Sequence, residues 1–270
     1  YTITITNSAD AGDILSLDNV TSVSINLESL STLTGTLAEV EGVFTLDDDS
    51  KVSLGASPSV ALTLSDASIA VDQANTLAAQ TSGVITATIY EGTYTALNGL
   101  NETTNNYALT LTEQISVTNV NTLQGKTVGV ITATISNGAI TDLINLTNTQ
   151  SNSNYTITIT DTGSQTAANI NTIKLANTSG TITASGIATV TGTASAVISA
   201  YSAVNTGFGD ENITIDSSGT ATLTQARNLN SLTSGNVTAN LADTRISAIL
   251  DGSSGLTESG GTNAYTITIG

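Results

Sequence analysis

Three consecutive carboxylates, Asp47, Asp48 and Asp49 in TLDDDSK, form the densest acidic run of the chain. Hard oxygen ligands of this kind suit Ca2+. The run lacks the D-x-D-x-D-G spacing and the distal Glu of a built calcium loop, so a solvated turn is the plainer account. Asp210 and Glu211, after Gly-Phe-Gly, read the same way. The chain has no histidine, so the commonest general base and catalytic zinc ligand are absent. It has no cysteine, so no thiolate nucleophile, disulfide or Cys-bound zinc exists. Paired carboxylates could cleave glycosidic bonds, but the aromatic platforms that usually hold a sugar are missing. The five basic residues, Lys51, Lys126, Lys174, Arg227 and Arg245, are scattered. We therefore expect a protein that is not an enzyme. No cofactor is expected, and Ca2+ is the one ion the composition admits.

Two further residue patterns could carry recognition. Asn-x-Ser/Thr sequons occur at Asn19, Asn101, Asn145, Asn154, Asn177, Asn212 and Asn236, and are candidates for glycosylation in a secreted chain. Thr-x-Thr pairs recur at Thr2–Thr4, Thr86–Thr88, Thr132–Thr134 and Thr156–Thr158. Stacked on a flat parallel sheet, such ladders would suit ice binding, although threonine is also simply a good exposed strand residue. A net charge of −17 excludes nucleic acid as an expected partner, because little is available to neutralise phosphates. No apolar run approaches the roughly 20 residues of a membrane span, so no membrane insertion is expected.

These residues sit in a chain built from repeats. YTITI occurs at Tyr1, Tyr155 and Tyr265. The segment from Ala70 to Ile89 aligns without a gap to Ser116–Ile135, sharing NTL and GVITATI, and fainter copies follow at Ala167–Ser185 and Leu223–Leu241. Strand starts at 84, 107, 130, 155, 181, 212 and 236 step by 23, 23, 25, 26, 31 and 24 residues. A longer repeat lies above this rhythm: YTITITNSADAGDI resembles YTITITDTGSQTAANI, and LSTLTGTLAEV resembles IATVTGTASAV. The expected organisation is a superrepeat over 1–154, a second over 155–264, and the start of another, or an inter-subunit joining strand, at 265–270. The chain does not start with Met and shows no leader, as expected of a processed chain or an interior segment.

Alternation within these strands predicts one buried face, such as Ile85, Ala87 and Ile89, and one threonine face. Connectors of 15 to 20 residues are too long for hairpins and suit crossovers between parallel strands. Asp72–Gln80 reads as a short helix capped by Asp72 and ended by Gly83 of the TSG, and Asn137–Gln150 puts Ile140, Leu143 and Leu146 on one helical face. With no Trp or Met and only two Phe, the core must be thin and β-branched. The expected fold is all-β, β-dominant with short helical connectors: a repetitive parallel β-solenoid, with tandem β-sandwich domains as the alternative.

NTLxxxTSGxITAT, the VTGTAS element and YTITIT(D/N) resemble the Thr/Ala-rich "β-strand repeat" segments of giant secreted proteins of cyanobacteria and other aquatic bacteria. The resemblance spans nearly the whole chain and is weakest from about Glu41 to Ser59. It implies an extracellular, cell-surface structural protein of the surface-layer, adhesin or fibre type. The tandem GGxGxD repeats of the calcium-binding tails found beside such segments are absent. The expected function is self-assembly into a filament or surface layer through stacking or strand exchange at the ends, with copies of the chain as partners. The joining strands would use Tyr1, Ile3, Ile5, Tyr265, Ile267 and Ile269. The alternatives are a calcium-dependent adhesin stalk or an ice binder, with glycans or cell-surface polysaccharide as further partners.

Overall fold

The computed structural model describes residues 2–148, 153–216, 219–242, 245, 247 and 262–267. The chain divides into two compact units between Ala133 and Thr134. The first unit runs β1 (Ile3–Thr4), β2 (Asn7–Asp10), α1 (Ala11–Val20), β3 (Ile25–Asn26), β4 (Leu30–Gly35), α2 (Leu37–Asp48) and β5 (Val52–Ser53). It continues through β6 (Ala61–Leu64), α3 (Val71–Ala78), β7 (Ile85–Thr88), α4 (Tyr94–Leu97), β8 (Asn106–Ile115) and α5 (Val117–Gln124). The division falls inside β9 (Ile131–Ile135). The second unit holds α6 (Ile140–Leu143), β10 (Ser153–Thr158), β11 (Gly163–Thr166), α7 (Ala167–Ala176), β12 (Thr181–Thr183) and β13 (Ile187–Gly192). It ends with α8 (Ala194–Ala203), β14 (Asn212–Ile215), α9 (Leu223–Leu232), β15 (Val237–Leu241) and β16 (Ala264–Ile267).

The first unit pairs β1-β3-β5 in one sheet and β2-β4-β6-β7-β8 in another. The second unit pairs β10 with β12 and orders its larger sheet β11-β13-β14-β15-β16. The pairings whose register is described are parallel throughout. Helices lie between the strands, and the content is 32% helix and 31% strand. This overturns the expected all-β parallel β-solenoid and the tandem β-sandwich alternative. The fold is α/β, and the compact units are not a β-solenoid repeat filament.

The physical reason lies in threonine. Thr36, Thr166, Thr193 and Thr222 read as strand residues, but each is a helix N-cap whose hydroxyl accepts a backbone N–H of the first turn. Thr36 and Glu39 complete a capping box for α2, a 12-residue helix. The helices then bury apolar positions, such as Val40, Val43 and Phe44, against the apolar face of the strands. Two local assignments also change. Asp72 lies inside the first turn of α3, after the N-cap Ala70, and that helix ends before Gly83. The Asn137–Gln150 helix shrinks to α6, although Ile140, Leu143 and Leu146 are all buried; Gln150 is outside the described residues.

The long repeat is visible in backbone detail. Asn7 and Gly163, at equivalent places, have φ of 68° and 73°, and each marks a register shift in its strand pair. Gly35 and Gly192 open onto α2 and α8 with φ of 146° and 149°. A Cβ at Gly35 would sit 3.1 Å from the Ala11 Cβ, and one at Gly192 would sit 3.3 Å from the Ala167 Cβ.

The TSG element fastens one coil to the coil before it. Thr81, Thr127 and Thr233 are buried and donate to the carbonyls of Val60, Tyr107 and Glu211 at 2.8, 2.7 and 2.6 Å. Each hydroxyl also accepts from the glycine two residues on, Gly83, Gly129 or Gly235. In the fourth copy Asn177 does the work, accepting from Tyr155 N–H at 2.8 Å and donating to Tyr155 C=O at 2.9 Å. The glycines are close-approach residues, since a Cβ at Gly180 would lie 2.0 Å from the Tyr155 carbonyl oxygen. Gly180→Ala should therefore cost roughly 2–3 kcal/mol in equilibrium denaturation. An unchanged midpoint would mean that the coils do not touch there.

Candidate functional site

The acidic residues that read as solvated charge have a structural task. Asp66 accepts from the N–H of Leu37, the first residue of α2, at 2.5 Å. Glu91 accepts from Val71, which starts α3, at 3.1 Å. Glu113 accepts from Tyr94, which starts α4, at 2.8 Å, and Asp161 from Ile140, which starts α6, at 2.6 Å. A helix N-terminus leaves backbone N–H groups unpaired and carries partial positive charge, so a carboxylate there is favourable. Each carboxylate comes from 19 to 29 residues further along the chain. The sequence analysis missed these residues. The signal was an acid directly after a strand, in ALTLSD, ITATIYE, ALTLTE and YTITITD.

The triple aspartate is not assembled into a metal centre. Asp47 and Asp48 end α2, Asp49 is its C-cap, and Asp47 accepts from Leu54 N–H at 2.7 Å. Among the described residues no group of three or more metal-ligating side chains converges. Asp47–Asp49, weighed as a solvated turn or a calcium loop, forms a helix-ending turn.

The sequons separate by burial. Asn19, Asn101, Asn145, Asn212 and Asn236 are exposed, and Asn154 is half-buried. Asn177 is 0% exposed and both its amide atoms are engaged, so it is a structural staple and not an accessible acceptor. Asn212 and Asn236 also use their side-chain oxygens, accepting from the N–H of Asn236 and Thr262 at 2.9 and 2.7 Å.

Threonines stack in single columns: Thr34, Thr63 and Thr86 in the first unit, and Thr166, Thr191, Thr214 and Thr238 in the second. One Thr-x-Thr pair is matched in both columns, Thr156 and Thr158 opposite Thr181 and Thr183. Elsewhere the second column is interrupted: Thr88 lies beside Ala108, Thr32 beside Ala61 and Thr189 beside Asn212.

The joining strands have a more specific geometry. Ile3 lies in β1, where it pairs with Ile25 as the first strand of a three-stranded sheet. Tyr155 and Ile157, fully buried, lie in β10, an interior strand that pairs with β12 on one side, so this copy of the motif is not at an edge. Tyr265 and Ile267 lie in β16, opposite Ala239 and Leu241, as the last strand of the five-stranded sheet. Ile5 is half-buried and donates its N–H to Asn26 C=O at 3.0 Å. Tyr1 and Ile269 are outside the described residues. The same five-residue motif thus serves as a first strand and as a last strand. β2 and β16 are edge strands among the described residues.

The loop before β14 is chemically distinct. Glu211 is 2% exposed, and its Oε2 accepts from Gly209 N–H at 2.8 Å and from the Tyr201 hydroxyl at 3.0 Å. Burial, and then the Glu211 charge, push the Tyr201 phenol well up. Tyr201 also stacks at a tilt on Phe208, with ring centroids 4.8 Å apart.

No family model matches the chain, and no curated protein and no solved structure shows significant similarity to it. Among the described residues no helix is long and apolar enough to cross a membrane.

Asp66→Ala should lower stability by about 1 kcal/mol through loss of the α2 cap, while Asp48→Ala, outside this arrangement, should change it far less; paired urea curves measure both. Burial pushes the Tyr107 phenol up from 10.0 to about 12, against a lowering hydrogen bond from Asn105. Its folded value exceeds its unfolded value, so its contribution is intact below pH 10 and is lost as pH rises towards about 12. Tyr107→Phe should flatten the fall in stability across that window.

Proposed function

We propose that this chain is an extracellular structural repeat protein that associates with copies of itself through its strand edges, as a building block of a surface layer. The observation that carries this reading is the use of YTITI at two sheet edges, as first strand in β1 and as last strand in β16. A strand that fits both positions lets the edge of one chain continue the sheet of another. Exposed edges pair readily with other strands, and the contact buries backbone groups without a new type of side-chain site. The contact uses two different patches and is therefore heterologous, so it extends into an open assembly. The scarcity of basic residues and the absence of histidine and cysteine support a structural role over catalysis. The resemblance to secreted repeat proteins supports the cell surface as its location.

Light scattering after size-exclusion chromatography tests the reading. The 270-residue chain should show mass that rises with concentration. A variant lacking residues 1–6 and a variant lacking 264–270 should each be monomeric alone, and a mixture should stop at a one-to-one dimer. A full-length chain that stays monomeric at its highest soluble concentration would falsify the proposal.

A further inference from the structure

We propose that the loop Gly207–Glu211 is a binding site for a divalent cation of calcium type, with the Glu211 carboxylate as its anchoring ligand. Among the described residues Glu211 is the one buried carboxylate. Its Oε2 already holds two donors, one from the loop itself at Gly209 and one from Tyr201. Its Oε1 is buried and has no hydrogen-bond partner. No basic side chain neutralises it, since the ion pair found among the described residues is Lys51–Asp18. A buried carboxylate oxygen left with neither donor nor counter-charge is strongly disfavoured. A hard cation bound through oxygen removes both defects at once.

The surroundings suit that ligand. Gly207 and Gly209 have φ of 102° and 142°, which turn the backbone tightly around the carboxylate. A Cβ at Gly209 would meet nothing within 4 Å, so space is open beside the loop. Asp210, the preceding residue of the same loop, is exposed and supplies a second carboxylate there.

The chain has seven tyrosines and no tryptophan, so terbium bound beside Tyr201 would be sensitised through that ring. Terbium titration with calcium competition, together with thermal unfolding in calcium, tests the site. The expected result is a calcium-dependent rise in melting temperature. Glu211→Gln should lose this rise and bind one ion fewer, or at least about tenfold more weakly. Asp47→Asn should behave as the parent. Tyr201→Phe keeps the carboxylate, so it should lose most of the terbium emission yet still bind calcium by calorimetry. Equal calcium responses in the parent and Glu211→Gln would overturn the proposal. Should Glu211→Gln not fold, unchanged terbium emission in Tyr201→Phe would overturn it, because the ion would then lie elsewhere.

Discussion

Every coil of this protein leaves backbone polar groups at its turns, and the next coil satisfies them with a side chain. That constraint organises the rest of the structure. The hydroxyls of Thr81, Thr127 and Thr233 close onto carbonyls of the preceding coil. Asn105, Asn205 and Asn263 accept the N–H groups of Ile85, Ile182 and Val237, at 2.7, 2.7 and 2.8 Å. Asp66, Glu91, Glu113 and Asp161 cap helices that begin earlier in the chain. A buried peptide group without a partner is costly, so these short polar side chains are needed as much as the apolar ones.

This explains how a chain so poor in aromatic residues holds together. The core is a thin layer of Ile, Leu, Val and Ala between strands and helices, with Tyr107 and Tyr155 as its largest fully buried side chains. Such a layer gives each strand–helix segment little independent stability, so each is completed by the segments packed against it. A coil at a sheet edge lacks one of its two neighbours, and this is the physical basis for assigning association to the edges. The acidic composition has the same root. Part of the −17 charge is committed to helix N-termini, through Asp66, Glu91, Glu113 and Asp161.

The loop before β14 is where the arrangement departs from its own rule. Thr233 closes onto the Glu211 carbonyl as the pattern requires, but the Glu211 side chain turns inward to a half-satisfied carboxylate. An irregularity kept inside a strict repeat is the natural place for recognition, because the other coils are occupied in holding one another.

Much of the architecture was legible in the sequence. The repeat period, the buried faces Ile85-Ala87-Ile89 and Ile131-Ala133-Ile135, and the kinship of LSTLTG with IATVTG all follow from residue order, because strand alternation and glycine placement are local. The helices were hidden because threonine serves equally as a strand residue and as a helix cap, and only the position of the next turn decides between them. The caps from Asp66 and Asp161 were hidden because their targets lie 29 and 21 residues away. The burial of Asn177 and Glu211 was likewise decided by tertiary structure. What a polar side chain does depends on the coil packed against it, and residue order alone does not specify that neighbour.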